Sequence, residues 1–386
     1  MSKPSTIVGV ISFTDTGGAQ EALLRVARQM RERGHDMEVW FLYRKSAVHE
    51  NEPFTRVFSR KAKPSPLEFV AIVGRLIAAL RAKRPGTVIG FLPLGATVGL
   101  AAAAAAGVPV RIASHRSPGT TYGGAMRRLD RALGGTPVYD EMICVSEAVR
   151  QSFSSYSKVY RDKLKVVHNG IEWTPSSMTK AQARAAFGLP ADAFVFAAVG
   201  RTEYQKNYQV LIEAMPRVPD AILAIIGDGT ERAELEARAA ELNVSDRIVF
   251  LGARGRQECR DLLRAADAFV QSSRFEGQSN AVLEAMHEGL PMALSDIPEQ
   301  RETIEDLTTG EVGGLLAPVS DVEAWVKALN SLHVDGDLRQ ELSARAKAMV
   351  EARFTLSRMI DGFEAVLTRR QPSPRGREGE ARSAEG

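Results

Sequence analysis

Arg274-Phe275-Glu276-Gly277-Gln278-Ser279-Asn280-Ala281-Val282-Leu283-Glu284-Ala285-Met286-His287-Glu288-Gly289-Leu290-Pro291 is the stretch on which the reading of this chain turns. Two glutamates, Glu276 and Glu284, bracket seven residues. Ser279 and Asn280 are good helix N-caps, Gly289 suits the position just past a helix end, and Pro291 forbids continuation. The pattern predicts a short helix that carries Glu284 and is entered from a loop of small polar residues. Such a helix N-terminus offers a fan of backbone N–H groups, which is an anion site. Gly277, Gln278, Ser279 and Asn280 would line it. Glu276 precedes it, and Glu284 follows about one turn later on the face of Asn280. Phosphate on amides with carboxylates alongside suits a nucleotide-sugar. The diphosphate takes the N–H groups, and sugar and ribose hydroxyls donate to the carboxylates. From spacing alone, a surface helix with two solvated glutamates remains the alternative.

Outward from that stretch, apolar strand runs alternate with amphipathic helices, the pattern of a parallel sheet wrapped by helices. In the first half, strands are expected at Ile7 to Ser12, Met37 to Leu42, Val88 to Phe91, Val110 to Ala113, Met142 to Val145 and Lys165 to Val167. A glycine loop and a helix from Ala19 to Arg33 follow the first strand. Leu67 to Lys83 reads as a helix with Leu67, Val70, Ala71, Leu76, Ile77 and Leu80 inward, and Ala101 to Ala106 as a tightly packed helix ended by Gly107. A Ser, Thr, Lys and Ala-rich stretch from Trp173 to Ala181 reads as the linker. A second series follows at Phe194 to Val199, Ile222 to Ile226, Ile248 to Leu251, Ala268 to Gln271 and Met292 to Ser295. The expected architecture is α/β, with two Rossmann-like doubly wound domains facing each other across a cleft. They take residues 1–172 and 173–354. The tail 371–386, rich in Pro, Gly, Arg, Glu and Ser, is expected to be disordered.

The 386 residues, 44% of them hydrophobic, suit two domains with full cores. Between Arg56 and Arg131 there are thirteen Lys and Arg against only Glu68 and Asp130, whereas acids predominate from Asp192 to Glu351. That asymmetry points to an anionic partner on the N-terminal side. Nucleic acid is not expected, because no matching motif or aromatic interleaving accompanies the charge. Cys144 and Cys259 have no metal-ligand spacing and read as reduced core residues of a cytoplasmic protein. No leader segment is read before the first strand. A Gly-x-Gly-x-x-Gly fingerprint with a ribose-binding acid is missing, which argues against a dehydrogenase.

The segment from Glu276 to Glu284 resembles the Glu-x7-Glu signature of retaining glycosyltransferases of family 4, which have the GT-B fold. Further matches follow in the order of that family. They are Gly17-Gly18-Ala19-Gln20-Glu21, Ser114-His115-Arg116, Val145-Ser146-Glu147, His168-Asn169-Gly170-Ile171, Val199-Gly200-Arg201 with Lys206-Asn207, and Gly227-Asp228-Gly229. The likeness runs to about residue 350, and the ordered set is specific although each motif alone is weak. It implies transfer of a sugar from a UDP- or GDP-linked donor to a hydroxyl acceptor, in lipopolysaccharide, exopolysaccharide or glycolipid biosynthesis.

The resemblance also assigns roles. Arg201 and Lys206 grip the donor diphosphate, where their charge stabilises the leaving group as it forms. His115 reaches the transferred sugar through its ring or its backbone carbonyl, and Gly17 and Gly18 lie near the phosphates or the acceptor. Arg254 is a candidate contact for the base, with an ordinary surface arginine as the alternative; His168 reads as structural. A final helix, about 355–370, crosses back to the N-terminal domain. No cofactor and no metal are expected, since Arg201, Lys206 and the helix dipole can neutralise the diphosphate. Asp335-Gly336-Asp337 is read as a helix N-cap rather than a metal site. The basic N-terminal half suits a lipid-linked or polyanionic acceptor and peripheral association with the inner face of an anionic membrane, helped by Phe54, Phe58 and Leu67. A sugar phosphorylase, a nucleotide-sugar epimerase and a silent scaffold of glycan assembly are the alternatives.

Overall fold

The run Thr6-Ile7-Val8-Gly9-Val10-Ile11-Ser12-Phe13-Thr14 is too apolar to leave a face in water. In the computed structural model it forms strand β1 (Thr6–Thr14), with a parallel neighbour on each side. The structure describes residues 6–15, 17–50, 52–306 and 309–368; the expected disordered tail, 371–386, lies outside them. The described residues form two compact units. One takes in residues 6–145, 149–167 and 359–368, the other residues 146–148 and 168–358.

In the first unit, β1 is joined by β2 (Asp36–Arg44), β3 (Thr55–Val57), β4 (Thr87–Phe91), β5 (Val110–His115), β6 (Glu141–Cys144) and β7 (Leu164–Val166), in the order β3-β2-β1-β4-β5-β6-β7. In the second, β8 (Phe194–Val199), β9 (Ala221–Ile226), β10 (Ile248–Gly252), β11 (Ala268–Gln271), β12 (Met292–Ser295) and β13 (Leu315–Ala317) run β10-β9-β8-β11-β12-β13. Every pairing between these strands is parallel. Helices cover both faces, so alternate residues of a central strand enter different cores. Along β8, Val195 and Ala197 join the cluster around Met286 and Leu294, while Phe196 and Ala198 join the cluster around Trp325 and Leu329.

Three expectations need correction. The helix Pro66–Lys83 buries Ile72, Leu76, Ala79 and Leu80, whereas Leu67 and Val70 stand 85% and 68% exposed and Ala71 is exposed with them. Its apolar residues cover most of its circumference, so periodicity alone did not select the buried stripe. Phe54 and Phe58 are core residues, each 7% exposed, and only Leu67 of that trio faces solvent. The stretch after Trp173 is not a free linker. Trp173 stacks on His287 with ring centroids 6.4 Å apart, and Ser176 donates to Asp261 at 2.5 Å, so the second unit begins at His168. The last helix, Leu356–Thr368, starts in the second unit and from Met359 onward packs in the first, where Phe363 stacks on Phe91 and Glu364 takes Arg33 and His35.

Candidate active site

A doubly wound sheet opens a crevice where the strand order reverses, outside the carboxyl ends of the strands. In the second unit that point lies between β8 and β11. The two loops that leave it are 200–207 and 272–279, and they are stitched together. Arg274 N donates to Gln205 O at 2.8 Å, Gln205 Nε2 to Phe275 O at 3.1 Å, and Ser272 Oγ reaches Lys206 O at 2.9 Å and Asn207 O at 3.0 Å. Ser295 Oγ, at the end of β12, donates to Ser273 O at 2.6 Å. On the other side, loop 200–202 lies backbone to backbone on loop 227–229. Gly227 sits at φ +150, and a Cβ there would fall 1.8 Å from Gly200 O, so only glycine fits.

These contacts bring Lys206 and Glu276 together. Lys206 Nζ lies 2.7 Å from Glu276 Oε1, with the two side chains 14% and 9% exposed. The same oxygen accepts from Ser273 Oγ at 2.7 Å and Gln271 Nε2 at 3.3 Å. Glu276 is therefore a nearly buried carboxyl group held by three donors, not the solvated surface glutamate that the spacing also allowed. Burial, with Glu276 adding, pushes the nearby Tyr208 phenol up; its hydroxyl donates to Gly200 O at 3.1 Å. Burial also raises the Glu299 carboxyl, to about 7; Glu276 and Glu302 push the same way, against a backbone hydrogen bond that lowers it. Arg201 is exposed and makes no ion pair or side-chain hydrogen bond among the described residues.

The signature loop leads into the helix Asn280–Glu288 as the sequence implies. Ser279 caps it by accepting from Val282 N at 3.4 Å, and Gly289 closes it at φ +78. The carbonyl side of the loop is satisfied internally. Ser146 Oγ donates to Gly277 O at 3.0 Å, and Asn169 Nδ2 donates to Gln278 O at 3.2 Å. Gln278 Oε1 accepts from Asn169 N at 2.6 Å, so that side chain braces the loop from within. The amides of the first helical turn have no intrahelical acceptors, the condition for an anion site. Glu284 is half-buried on this helix, beside Cys259; burial, with Glu284 adding, raises that thiol to about 12. Asn280 Oδ1 is buried without a hydrogen-bond partner.

Arg254 is exposed, donating to Leu251 O at 2.9 Å and pairing with Glu258 at 3.0 Å. In the first unit the strand order reverses between β1 and β4, so the Gly17 and Gly18 loop does lie at a switch point. Neither glycine uses positive φ, however; Gly17 lies at φ −74 as the N-cap of the helix Gly18–Glu32. The unusual backbone there is at Leu92, just after β4, at φ +61. That conformation is costly for a bulky residue and marks a place held by its surroundings.

His115 is a correction. It ends β5, 1% exposed, and both ring nitrogens are engaged, Nδ1 with Tyr122 Oη at 3.0 Å and Nε2 with Tyr160 Oη at 3.1 Å. Tyr160 gives its hydroxyl proton to Asp130 at 2.6 Å, so His115 Nε2 carries a proton and Nδ1 accepts from Tyr122. Burial lowers the imidazole's affinity for a second proton, against the opposing charge of Asp130. Its carbonyl is taken by Val145 N at 3.1 Å. This histidine is a buried core residue with both ring nitrogens hydrogen-bonded within the first unit, so its ring is not the free group that the sequence suggested.

His168 pairs with Glu302 at 2.7 Å, and Glu302 also accepts from the amides of Glu147 and Ala148 at 2.6 and 2.8 Å. Burial works to raise the Glu302 carboxyl, but His168 and those amides outweigh it, and its pKa falls below the ordinary value. Asp335 caps the helix Gly336–Arg353, accepting from Leu338 N at 2.9 Å. Among the described residues, no group of three or more His, Cys, Asp and Glu is arranged to hold a metal ion. Sequence reasoning missed Gln271, Ser273 and Glu299. The first two carried a signal, a polar run that ends the otherwise apolar β11.

Two family models match the chain, Glycosyltransferase Family 4 over residues 16–172 and Glycosyl transferases group 1 over residues 179–349. The lipopolysaccharide core biosynthesis glycosyltransferase LpsE of Rhizobium meliloti is 29% identical over 228 residues, 59% of this chain and 64% of LpsE. The D-inositol 3-phosphate glycosyltransferase of Mycolicibacterium smegmatis is 27% identical over 94% of this chain and 88% of its own length. The match thus spans under two thirds of the first relative's length and most of the second's. Among solved structures, Anabaena HepE in complex with UDP and glucose aligns with a TM-score of 0.83 at 19% identity, covering 94% of this chain and 99% of HepE. At that identity the likeness concerns the fold.

Proposed function

This chain belongs to the glycosyltransferases of family 4, on the GT-B fold, and on that premise we propose that it moves a sugar from a UDP- or GDP-linked donor to a hydroxyl of a cell-surface glycan acceptor. The observation that carries this reading is the buried Lys206–Glu276 pair at the switch point of the second sheet, with the exposed Arg201 on the loop that carries Lys206. The donor diphosphate lies against the first-turn amides of the helix Asn280–Glu288, and Arg201 and Lys206 balance its charge. Glu276 accepts a hydroxyl of the transferred sugar, and Glu284 accepts ribose hydroxyls. The acceptor oxygen forms its bond to the anomeric carbon as the bond to the leaving phosphate oxygen breaks. The acceptor's proton passes to that phosphate on the same face, so configuration is retained. Charge grows on the phosphate in the transition state, where Lys206 and Arg201 do most. The reaction needs no metal, because those cations and the helix dipole supply the positive charge.

LpsE is named for lipopolysaccharide core biosynthesis and HepE is described with UDP, which favours a UDP-sugar and a glycan acceptor. The acceptor binds to the basic first unit, at a peripheral position on the inner face of an anionic membrane. No helix among the described residues is long and apolar enough to cross one. The test is a thermal-shift screen of UDP, GDP and their sugars, followed by transfer assays with and without EDTA and anomeric assignment of the product by NMR. The expected result is a rise in Tm with one nucleoside diphosphate family, by linkage, and a retained, EDTA-insensitive product. No shift with any nucleotide, an inverted product or a strict metal requirement would overturn the corresponding part.

A further inference from the structure

The basic character of the first unit is not uniform. Lys83 pairs with Asp36 and Glu38, Lys61 with Glu68, and Arg111 with Asp140. Arg56 lies over the rings of Trp40 and Phe58. Arg127, Arg128 and Arg131 have no carboxylate partner among the described residues, and all three line one cavity of about 330 Å³. Ser152, Ser155 and Tyr156 complete its side-chain wall, and the loop 119–120 closes it.

The local structure explains how the three cations come together. The helix Gly124–Gly134 turns Asp130 into the core, fully buried, where the Tyr160 and Tyr139 hydroxyls bond it. That removes the helix's acid from the outer face and leaves the arginines there, Arg127 and Arg131 one turn apart and mutually repulsive. Arg131 is held over the Tyr156 ring, 5.2 Å from its centroid. Tyr156 is only 8% exposed, and its hydroxyl has no hydrogen-bond partner. Three guanidinium forks without carboxylate partners and serine hydroxyls at one cavity are the donor set of a phosphate group, which arginine matches in both charge and planar geometry.

We propose that this cavity is a phosphate-ester site which holds a mono- or diphosphate group carried by the glycan acceptor. The proposal rests on the transferase reading only for the identity of that carrier. The cavity is lined wholly by residues of the first unit, whereas Arg201, Lys206 and Glu276 belong to the second. The acceptor class is accordingly a phosphorylated sugar or a sugar diphosphate, not a neutral oligosaccharide.

The test is titration calorimetry of the full chain with pyrophosphate and with a hexose 1-phosphate. It compares wild type, Arg127→Ala/Arg131→Ala, Arg127→Lys/Arg131→Lys, Tyr156→Phe and Arg201→Ala/Lys206→Ala, with UDP binding measured in parallel. The double alanine variant is expected to lose at least about tenfold in affinity for both phosphates and to bind UDP as wild type does. The lysine variant, which keeps charge and helix packing, should lose about threefold, and a merely structural role would leave it unchanged. Tyr156→Phe, which keeps the ring under Arg131, should bind both phosphates as wild type does. Arg201→Ala/Lys206→Ala should lose UDP and keep a class of phosphate binding that the first variant lacks. Phosphate affinity unaltered in the alanine and lysine variants overturns the proposal while leaving the donor site standing. Binding to phosphatidylglycerol vesicles that needs these arginines, without binding to either soluble phosphate, also overturns it, in favour of a membrane contact.

Discussion

Lys206 and Glu276 are the residues on which the chemistry is expected to depend most. Lys206→Ala should lower turnover by about two to four orders of magnitude at saturating donor, because its charge acts on the leaving phosphate. Steady-state assays of the purified variant check this, and near wild-type turnover would contradict it. Glu276→Gln should impair both transfer and stability. It leaves a nearly buried ammonium without its counter-charge, and a loss of about 1–3 kcal/mol in urea unfolding is expected beside the loss of turnover. Each residue was legible in the sequence as a strand-end polar group, but the pair was not. Seventy positions separate them, and they meet only because β8 and β11 are neighbours, a fact of strand order. His115 shows the opposite case. Its position at a strand end was legible, but the phenols that enclose it come from Tyr122 and Tyr160, 7 and 45 positions along, and no local pattern announces them.

At the scale of elements, strands were readable to within a residue or two wherever they are long and central. β3 and β13, three residues each at a sheet edge, escaped notice, whereas the equally short edge strand β7 was legible through the apolar pair Val166-Val167 at its end. The helix Pro66–Lys83 was readable as a helix but not in its orientation. Its exposed face carries Leu67 and Val70, with exposed Arg75 and Arg81 along the same helix, which suits shallow contact with an anionic bilayer. Wild type should co-sediment with anionic vesicles at low salt, be released at high salt, and lose about tenfold in partitioning in Leu67→Glu/Val70→Glu. Indifference to anionic vesicles at low salt would remove the membrane part of the proposal. The helix Pro298–Ile304 supplies a pH-dependent clamp through Glu302. Its carboxyl is held below the ordinary value of 4.5, so its stabilisation is complete above that pH and is lost as pH falls through the lower folded value. Glu302→Gln should therefore be less stable than wild type near neutrality, with the difference shrinking toward acid. Urea midpoints across that range check it, and a difference independent of pH would not fit.

At the scale of the whole molecule, two parallel sheets were legible because each repeats the alternation of apolar runs and helices, but the seam between them was not, since the polar stretch after Trp173 packs on His287 and Asp261 instead of running free. The last helix was the less legible part, for its sequence shows an amphipathic segment but not which core receives it. Phe363, fully buried against Phe91, should behave as a core residue of the first unit although nearly two hundred residues of the second intervene. Phe363→Ala is expected to cost about 3–5 kcal/mol, read from chemical denaturation of the full chain. A truncation after Arg358 should then unfold the first unit more readily than the second, as limited proteolysis would record. The chain's path has a further consequence for how such proteins diversify. Because the first unit is closed by a segment that lies beyond the second in sequence, the second cannot be exchanged as a terminal cassette. A recombination that grafts a different second unit onto this first unit must splice at two seams, near 167/168 and near 358/359, and carry the 146–148 patch that belongs with the second. A single crossover would instead pair one parent's sheet with the other parent's closing helix, so new combinations of the two units are expected to arise by insertion or by point change in loops, seldom by shuffling of halves.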